Sequence, residues 1–200
     1  MTEPMEGAEP APGRRRHGTQ LEDAIRAAVL GILVEQGVRG VTMAAVAARA
    51  GTSKPVLYRR WPDRSALLRD ALLRVATENI PHADTGSYRG DMLAILRGWS
   101  TLFASPLGAI GPAIVGAMPH DAELARAFQD GLIGWRKAEM SKTLARGIER
   151  GEVRPDVPVE IARELGQAML WHRFLITGDP ITDDLIVQIV DDVLIPFVAA

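Results

Sequence analysis

Residues 42–64, TMAAVAARAGTSKPVLYRRWPDR, decide the fold. Thr42 has a side chain suited to capping a helix, and Val46, Ala47 and Ala50 then share one face, three and four residues apart. Gly51 ends that helix, since glycine tolerates the left-handed conformation a helix terminus requires. Ser53 is a good cap for a second helix, with Pro55 in its first turn. This second helix runs from Lys54 to about Trp61, and Leu57 and Trp61 form its inner face at i, i+4 spacing. Lys54, Pro55, Tyr58 and Arg59 are left pointing outward. Two helices joined by a short glycine-containing turn make a helix-turn-helix, whose second helix offers its N-terminal residues to base edges in the major groove. A plain helical hairpin with a solvated basic face has the same outline.

Charge favours the first reading. From Arg39 to Arg60 there are five basic residues, Arg39, Arg49, Lys54, Arg59 and Arg60, and no acidic one, in a chain whose net charge is −2. A local basic patch on a near-neutral protein points to phosphates. Residues 1–70 carry net +3 and residues 71–200 net −5, so only the first part is suited to a polyanion. With 47% hydrophobic and 24% charged residues over 200 positions, the composition is that of an ordinary globular protein with one or two domains. The absence of cysteine excludes a disulfide scaffold, a thiolate nucleophile and cysteine-ligated zinc. No apolar run reaches the roughly 20 residues a bilayer demands and no signal peptide is evident, so the expectation is a cytoplasmic protein with no membrane partner.

Working outward, residues 1–18 are rich in Pro, Gly, Glu and Ala and read as a disordered basic arm, with Arg14, Arg15 and Arg16 either solvated or attracted to phosphates. A first helix from about Gln20 to Gln36 buries Leu21, Ala24, Ile25, Ala28, Ile32 and Leu33 and stops at Gly37. Asp63 caps a further helix to about Glu78, with Leu67, Leu68, Ala71, Leu72 and Val75 as its apolar stripe. Residues 80–87 are a linker, and helical patterns follow at about 88–104, 106–118, 121–151, 158–177 and 182–198. The expected fold is all-α: the arm (1–18), a three-helix helix-turn-helix domain with its linker helix (19–80), and a helical domain (81–200).

The last two helices bear on assembly. Ile186, Ile189, Val190, Val193 and Phe197 form a stripe in the final helix, widened by Leu185, Val187, Leu194 and Ile195. Its predecessor carries Ile161, Leu165, Ala168, Met169, His172 and Ile176 on one face. Faces so wide point to a second subunit, with burial inside the monomer as the alternative.

The run around the turn resembles the DNA-binding domain of the TetR family of bacterial one-component regulators. The resemblance rests on Gly37, Val41 and Thr42, Val46 and Ala47, Ala50 and Gly51, Ser53, Leu57 and Tyr58, Trp61, and Leu67 and Leu68, all in register. Residues 144–178 are also similar to a C-terminal subfamily of actinobacterial members, in which Arg-Gly-Glu is followed by an Asp and later by an aromatic-x-Arg. The resemblance implies a regulator, usually a repressor, that binds palindromic double-stranded DNA as a homodimer and is released by a small-molecule effector, here unknown. It implies DNA contacts by Thr42, Ser53, Lys54, Pro55, Val56, Tyr58, Arg60 and Arg64: Lys54 to a base, Pro55 and Val56 to apolar base groups, Tyr58 and Thr42 to phosphate, Arg60 and Arg64 to backbone or bases. Ala44 departs from members with a long polar chain there, and Arg59 has no fixed role. The same resemblance puts an effector pocket in the C-terminal helices, where Trp99, Phe103, Trp135, Met169 and His172 are candidates, with Met118, Met140 and Trp171 beside them; each also reads as plain core. His172 could orient a ligand or titrate.

Two rival classes remain open. An all-α enzyme would use the acid pairs Asp183, Asp184 and Asp191, Asp192, but these read as first-turn acids and a solvated face, and the four histidines lack metal spacing. Neither catalytic residues nor metal ligands nor a cofactor are assigned. A DNA-binding protein without a ligand would have a C-terminal domain packed solid.

Overall fold

The computed structural model describes residues 18–199, and the expected arm with Arg14, Arg15 and Arg16 lies outside them. Among the described residues every regular element is helical. The first four helices are α1 (Thr19–Gln36), α2 (Met43–Arg49), α3 (Lys54–Tyr58) and α4 (Arg64–Asn79). Ile25, Ala28, Val29, Ile32 and Leu33 of α1 enclose a core with Val46 and Ala47 of α2, Leu57 and Trp61, and Leu67, Leu68 and Ala71 of α4. Sequence and structure agree here because the apolar period is unbroken in each helix.

Local chemistry sets the boundaries. Thr42 Oγ1 accepts from Ala45 N at 3.1 Å and Asp63 Oδ1 from Ala66 N at 2.7 Å, so both caps form as expected. Ser53 occupies the cap position of α3, yet its side chain makes no capping hydrogen bond and remains exposed. Helix α3 ends at Tyr58, three residues short of Trp61, because the residue before a proline is driven out of helical conformation and Pro62 follows. Trp61 still reaches the core, and its Nε1 donates to Asp70 of α4 at 3.1 Å, the carboxylate that also accepts from Arg26 of α1 at 2.8 Å.

The C-terminal half comprises α5 (Tyr88–Ala104), α6 (Ile110–Ala117), α7 (Ala122–Ala127), α8 (Gly134–Glu149), α9 (Val159–His172), α10 (Asp183–Gln188) and α11 (Ile195–Val198). Helix α6 begins four residues later than the pattern suggested, after hydrogen-bonded turns from Ser105 to Gly108 and from Leu107 to Ile110. The three long C-terminal helices each contain a π-helical turn: Phe128–Ile133 between α7 and α8, Arg173–Thr177 after α9, and Ile189–Leu194 between α10 and α11. A π turn changes the phase of every residue beyond it. In the final helix this brings Leu194 and Val198 into the core and leaves Val193 and Phe197 half-buried, a correction to the stripe expected from a uniform helix.

That helix is fastened to α5 by two bidentate pairs, Arg97 with Asp183 and Arg89 with Asp191, each at 2.6 and 2.8 Å. The Arg-Gly-Glu segment proves to be a fastener as well. Arg150 contacts buried Asp91 at 3.4 Å and Glu152 at 3.2 Å, and Glu152 accepts from the Tyr88 amide at the start of α5. Asp91 also accepts from the Thr85 amide at 2.7 Å and hydroxyl at 2.9 Å, and from Arg146 at 3.4 Å. Burial pushes its pKa up, but these donors outweigh burial and hold the carboxyl below its ordinary value. No described helix is long and apolar enough to cross a membrane.

Candidate functional site

The turn between α2 and α3 follows from Gly51, whose φ of 65° lies in the left-handed region. Gly51 N donates to Ala48 O at 3.2 Å and Thr52 N to Ala47 O at 3.0 Å, the paired bonds of a Schellman stop. Leu57, fully buried, anchors α3 on α2 and so determines which side of α3 faces outward. Lys54, Pro55, Tyr58 and Arg59 are exposed, Tyr58 at 50%, and Val56 is half-buried. Thr42 is exposed at the start of α2; its oxygen caps the helix, and its hydroxyl proton is still free to donate.

The five basic residues of this segment differ in their partners. Arg49 is bidentate to Glu35, with one contact at 2.6 Å, and Arg60 Nε lies 3.2 Å from Glu22. Lys54, Arg59 and Arg39 are exposed and form no ion pair among the described residues. The outward face of α3 thus has uncompensated positive charge beside an exposed phenol, while acids of α1 flank it.

Arg64 departs from the expected outward position. Its Nε donates to Val41 O at 2.7 Å, Nη2 to Val38 O at 3.0 Å and Nη1 to Asp121 at 2.9 Å, and its side chain is 19% exposed. Asp121 follows α6 and caps α7 by accepting from Leu124 N at 3.0 Å. One guanidinium therefore joins the segment that leads into α2 to the α6–α7 junction.

The C-terminal helices enclose two cavities that meet at buried Trp99. One is apolar, about 60 Å³, and lies between α6 and the aromatic group Trp99, Phe103, Trp171 and Phe174, in which Phe103 and Phe174 stack at 4.3 Å. The other, about 130 Å³, lies between the end of α4, α5 and α8 and is lined by Ile80, His82, Ile95, Trp135, Arg136 and Met140 among others. Of the five expected pocket residues, Trp99 lines both cavities, Phe103 the first and Trp135 the second. Met169 and His172 line neither. Both are exposed on the outer face of α9, because that helix turns its small-residue side inward: Ala162, Gly166 and Leu170 pack there, and a Cβ on Gly166 would lie 2.9 Å from Leu194. The stripe that pointed to a second subunit is largely exposed on this chain, with Ile161 of α9 at 52% and Ile176, in the π turn beyond it, at 73%.

Arg136 was missed in the sequence, although a signal exists. It interrupts the buried i, i+4 series Leu132, Arg136, Met140, Leu144 with a charge. Asp121 and Arg64 gave no such signal, since their pairing spans 57 residues.

The chain's likeness to known proteins covers both halves. Residues 25–71 match the family model described as bacterial regulatory proteins, tetR family, and residues 82–193 the model described as tetracyclin repressor-like, C-terminal domain. The chain is 33% identical over 173 residues, 86% of its length and 90% of the relative's, to a DNA-binding transcriptional repressor TetR of Mycobacteroides abscessus. It is 30% identical over 167 residues, 84% of either chain, to the HTH-type transcriptional regulator YdeS of Bacillus subtilis. Among solved structures, the TetR family transcription regulator SCO0332 superposes with a TM-score of 0.73 at 30% identity, covering 90% of this chain and 99% of that one. A TetR transcriptional regulator from Agrobacterium tumefaciens shares the fold, with a TM-score of 0.69 at 18% identity over 91% and 96% of the two chains. The helix-turn-helix built around Gly51 and the helical domain that follows it make this chain a member of the TetR family of transcriptional regulators.

Proposed function

We propose that the chain is an effector-controlled repressor that binds palindromic double-stranded DNA as a homodimer. The observation that carries this reading is the outward face of α3, where Lys54, Tyr58 and Arg59 are exposed with no acidic partner among the described residues. Lys54 donates to guanine O6 or N7, Pro55 and Val56 meet apolar base groups, and Tyr58, Ser53 and the Thr42 hydroxyl hold phosphates. Arg60 reaches the backbone by exchanging Glu22 for a phosphate. Arg64 is left out of this surface because its donors are already engaged.

The exposed apolar residues of α9 and the π turn after it support the dimer, since Ile161 at 52%, Met169 at 36% and Ile176 at 73% exposure are costly to leave in water. Two-fold symmetry then sets two copies of α3 at successive major grooves about 34 Å apart. The cavities around Trp99 support an effector, and the repressor role is favoured by the relative from Mycobacteroides abscessus. A ~100-fold release of DNA requires only about 2.7 kcal/mol of differential affinity.

Fluorescence anisotropy with DNA flanking the protein's own gene, and with sites selected from a random pool, tests the reading. Wild type binds a selected site far more tightly than random DNA with a steep salt dependence, and Lys54→Ala weakens specific binding by about 10- to 100-fold. Failure of the random pool to yield any preferred sequence would sink it.

A further inference from the structure

The cavity between α4, α5 and α8 contains one charge that the protein does not balance. Arg136 is 9% exposed, Nη1 donates to Arg163 O at 3.0 Å, and Nε has no hydrogen-bond partner. Among the described residues no carboxylate lies within ion-pair distance of it. The other charges of the wall are all matched: His82 and Lys142 hold Glu139 at 2.7 Å each, and Arg146 faces Asp84 at 3.6 Å and Asp91 at 3.4 Å. On its far side Arg136 borders a shallow groove in which Glu164 is paired with Lys137 at 3.6 Å. Burial draws the guanidinium below its ordinary pKa even though Glu164, beyond ion-pair distance, pulls the other way, as for a cation taken out of water with no anion in direct contact. An arginine so placed costs stability and is hard to account for as packing alone.

The rest of the wall indicates what accompanies the missing anion. Trp135, Trp99, Ile95 and Met140 are apolar and flank Arg136, and Trp135 meets His82 edge-on at 6.1 Å. A cavity of about 130 Å³ is close to the size that accepts one benzene ring. We propose that this cavity is the effector site and that it takes a small aromatic monocarboxylate, whose carboxylate receives a forked pair of hydrogen bonds from Arg136 while its ring lies between Trp99 and Trp135. The inference rests on the effector-controlled reading above and gives the effector its chemical class. A guanidinium fork matches a planar carboxylate, and the hydrogen bonds are charge-assisted at a guanidinium that is itself buried.

The test uses benzoate, phenylacetate and indole-3-acetate, each beside its primary amide, on the full-length protein without DNA. Thermal unfolding and tryptophan emission are the readouts, since Trp99 and Trp135 line the site. At least one carboxylate raises the melting temperature and shifts the emission, and its amide does neither. Arg136→Met weakens the carboxylate by about 10- to 100-fold, the range expected for a hydrogen-bonded charge. Without ligand, Arg136→Met unfolds at the wild-type temperature or above it, because an apolar chain of similar length replaces an unpaired buried charge. Should that variant not fold, Arg136→Lys keeps the charge, loses the fork, and retains a weakened carboxylate response.

Equal binding of acid and amide would overturn the proposal, as would silence of every carboxylate at millimolar concentration. A melting temperature well below wild type for Arg136→Met would make the residue a structural one, and a variant that falls to a monomer would assign it to the subunit contact. The two readings fail separately. A protein that selects a DNA site and ignores every carboxylate loses only the ligand class, and one that binds carboxylates but selects no DNA site loses only the regulator.

Discussion

Replacing Arg64 by methionine distinguishes a side chain that holds two parts of the protein together from one that touches DNA. The change removes five hydrogen bonds, to Val41 O at 2.7 Å, Val38 O at 3.0 Å, the two Asp121 oxygens at 2.9 and 3.2 Å and, the longest, Glu123 at 3.5 Å. Hydrogen bonds to charged groups are worth about 1.5–3 kcal/mol each, but Arg64 is 19% and Asp121 24% exposed, so water replaces part of what is lost. The expected cost is about 3 kcal/mol, which for a chain of 200 residues lowers the melting temperature by about 6–12 °C. Asp121→Asn isolates the charge, since asparagine caps a helix as well as aspartate and keeps the bond from Leu124 N. That variant costs about 1 kcal/mol, and a double-mutant cycle gives a coupling of similar size. The decisive assay is the salt dependence of DNA binding. A residue bonded to its own protein displaces no counterion, so the slope of log K against log[salt] is unchanged in Arg64→Met. A slope smaller by about 0.9 with an unchanged melting temperature would mean a phosphate contact and refute the assignment.

Two further outcomes follow from the C-terminal half. Aspartate at both Ile161 of α9 and Ile176 of the π turn that follows, each exposed, converts the dimer to a monomer in light scattering with the helical circular dichroism retained; a dimer that persists would place the interface elsewhere. Asp91→Asn removes a buried carboxylate whose folded pKa is depressed, so its stabilising effect is complete above the unfolded value near about 3.9 and fades as pH falls through the folded one. Chemical denaturation should show the variant weaker by about 3 kcal/mol at pH 7, with the gap narrowing as pH falls below the unfolded value; a gap independent of pH would refute the linkage.

Local chemistry made the first half legible. Gly51 with its Schellman bonds, the Thr42 and Asp63 caps, and the 3.6-residue apolar period within each of the first four helices depend on residues close in sequence. The second half was legible as helices but not as faces. In α9 the large apolar residues Ile161 and Met169 pointed to a second subunit, but nothing in the pattern marked Ala162 and Gly166 as the side packed within the chain, where close approach to α5 and the final helix needs small side chains. Met169 and His172 were pocket candidates on the family resemblance alone, and no local pattern showed that both are exposed on α9. In the final helix the π turn at Ile189–Leu194 exchanged Val193 for Leu194, and no feature of the hydrophobic pattern marks where an extra residue enters a turn. Arg64 with Asp121 and Arg146 with Asp91 join residues 57 and 55 positions apart, which pattern reading cannot pair.

Helix α4 connects what these residues do. Ile80 caps its C-terminal end and lines the cavity that contains Arg136, while Arg64 begins it and grips Val38, Val41 and Asp121. Sixteen residues give α4 a length of roughly 24 Å, so a tilt of about 5° at one end moves the other by about 2 Å, enough to break hydrogen bonds of ordinary length. The apolar cavity bears on the same junction from the opposite side, since Ile110, Gly111 and Ile114 of α6 form its wall and α6 leads to Asp121. A ligand shifts an equilibrium only by its differential affinity for the two states, so an occupant that leaves Ile80 and α6 where they stand changes nothing at α3. An occupant that moves either one acts on the Arg64–Asp121 contact, and through the Val38 and Val41 carbonyls on the entry to the helix-turn-helix.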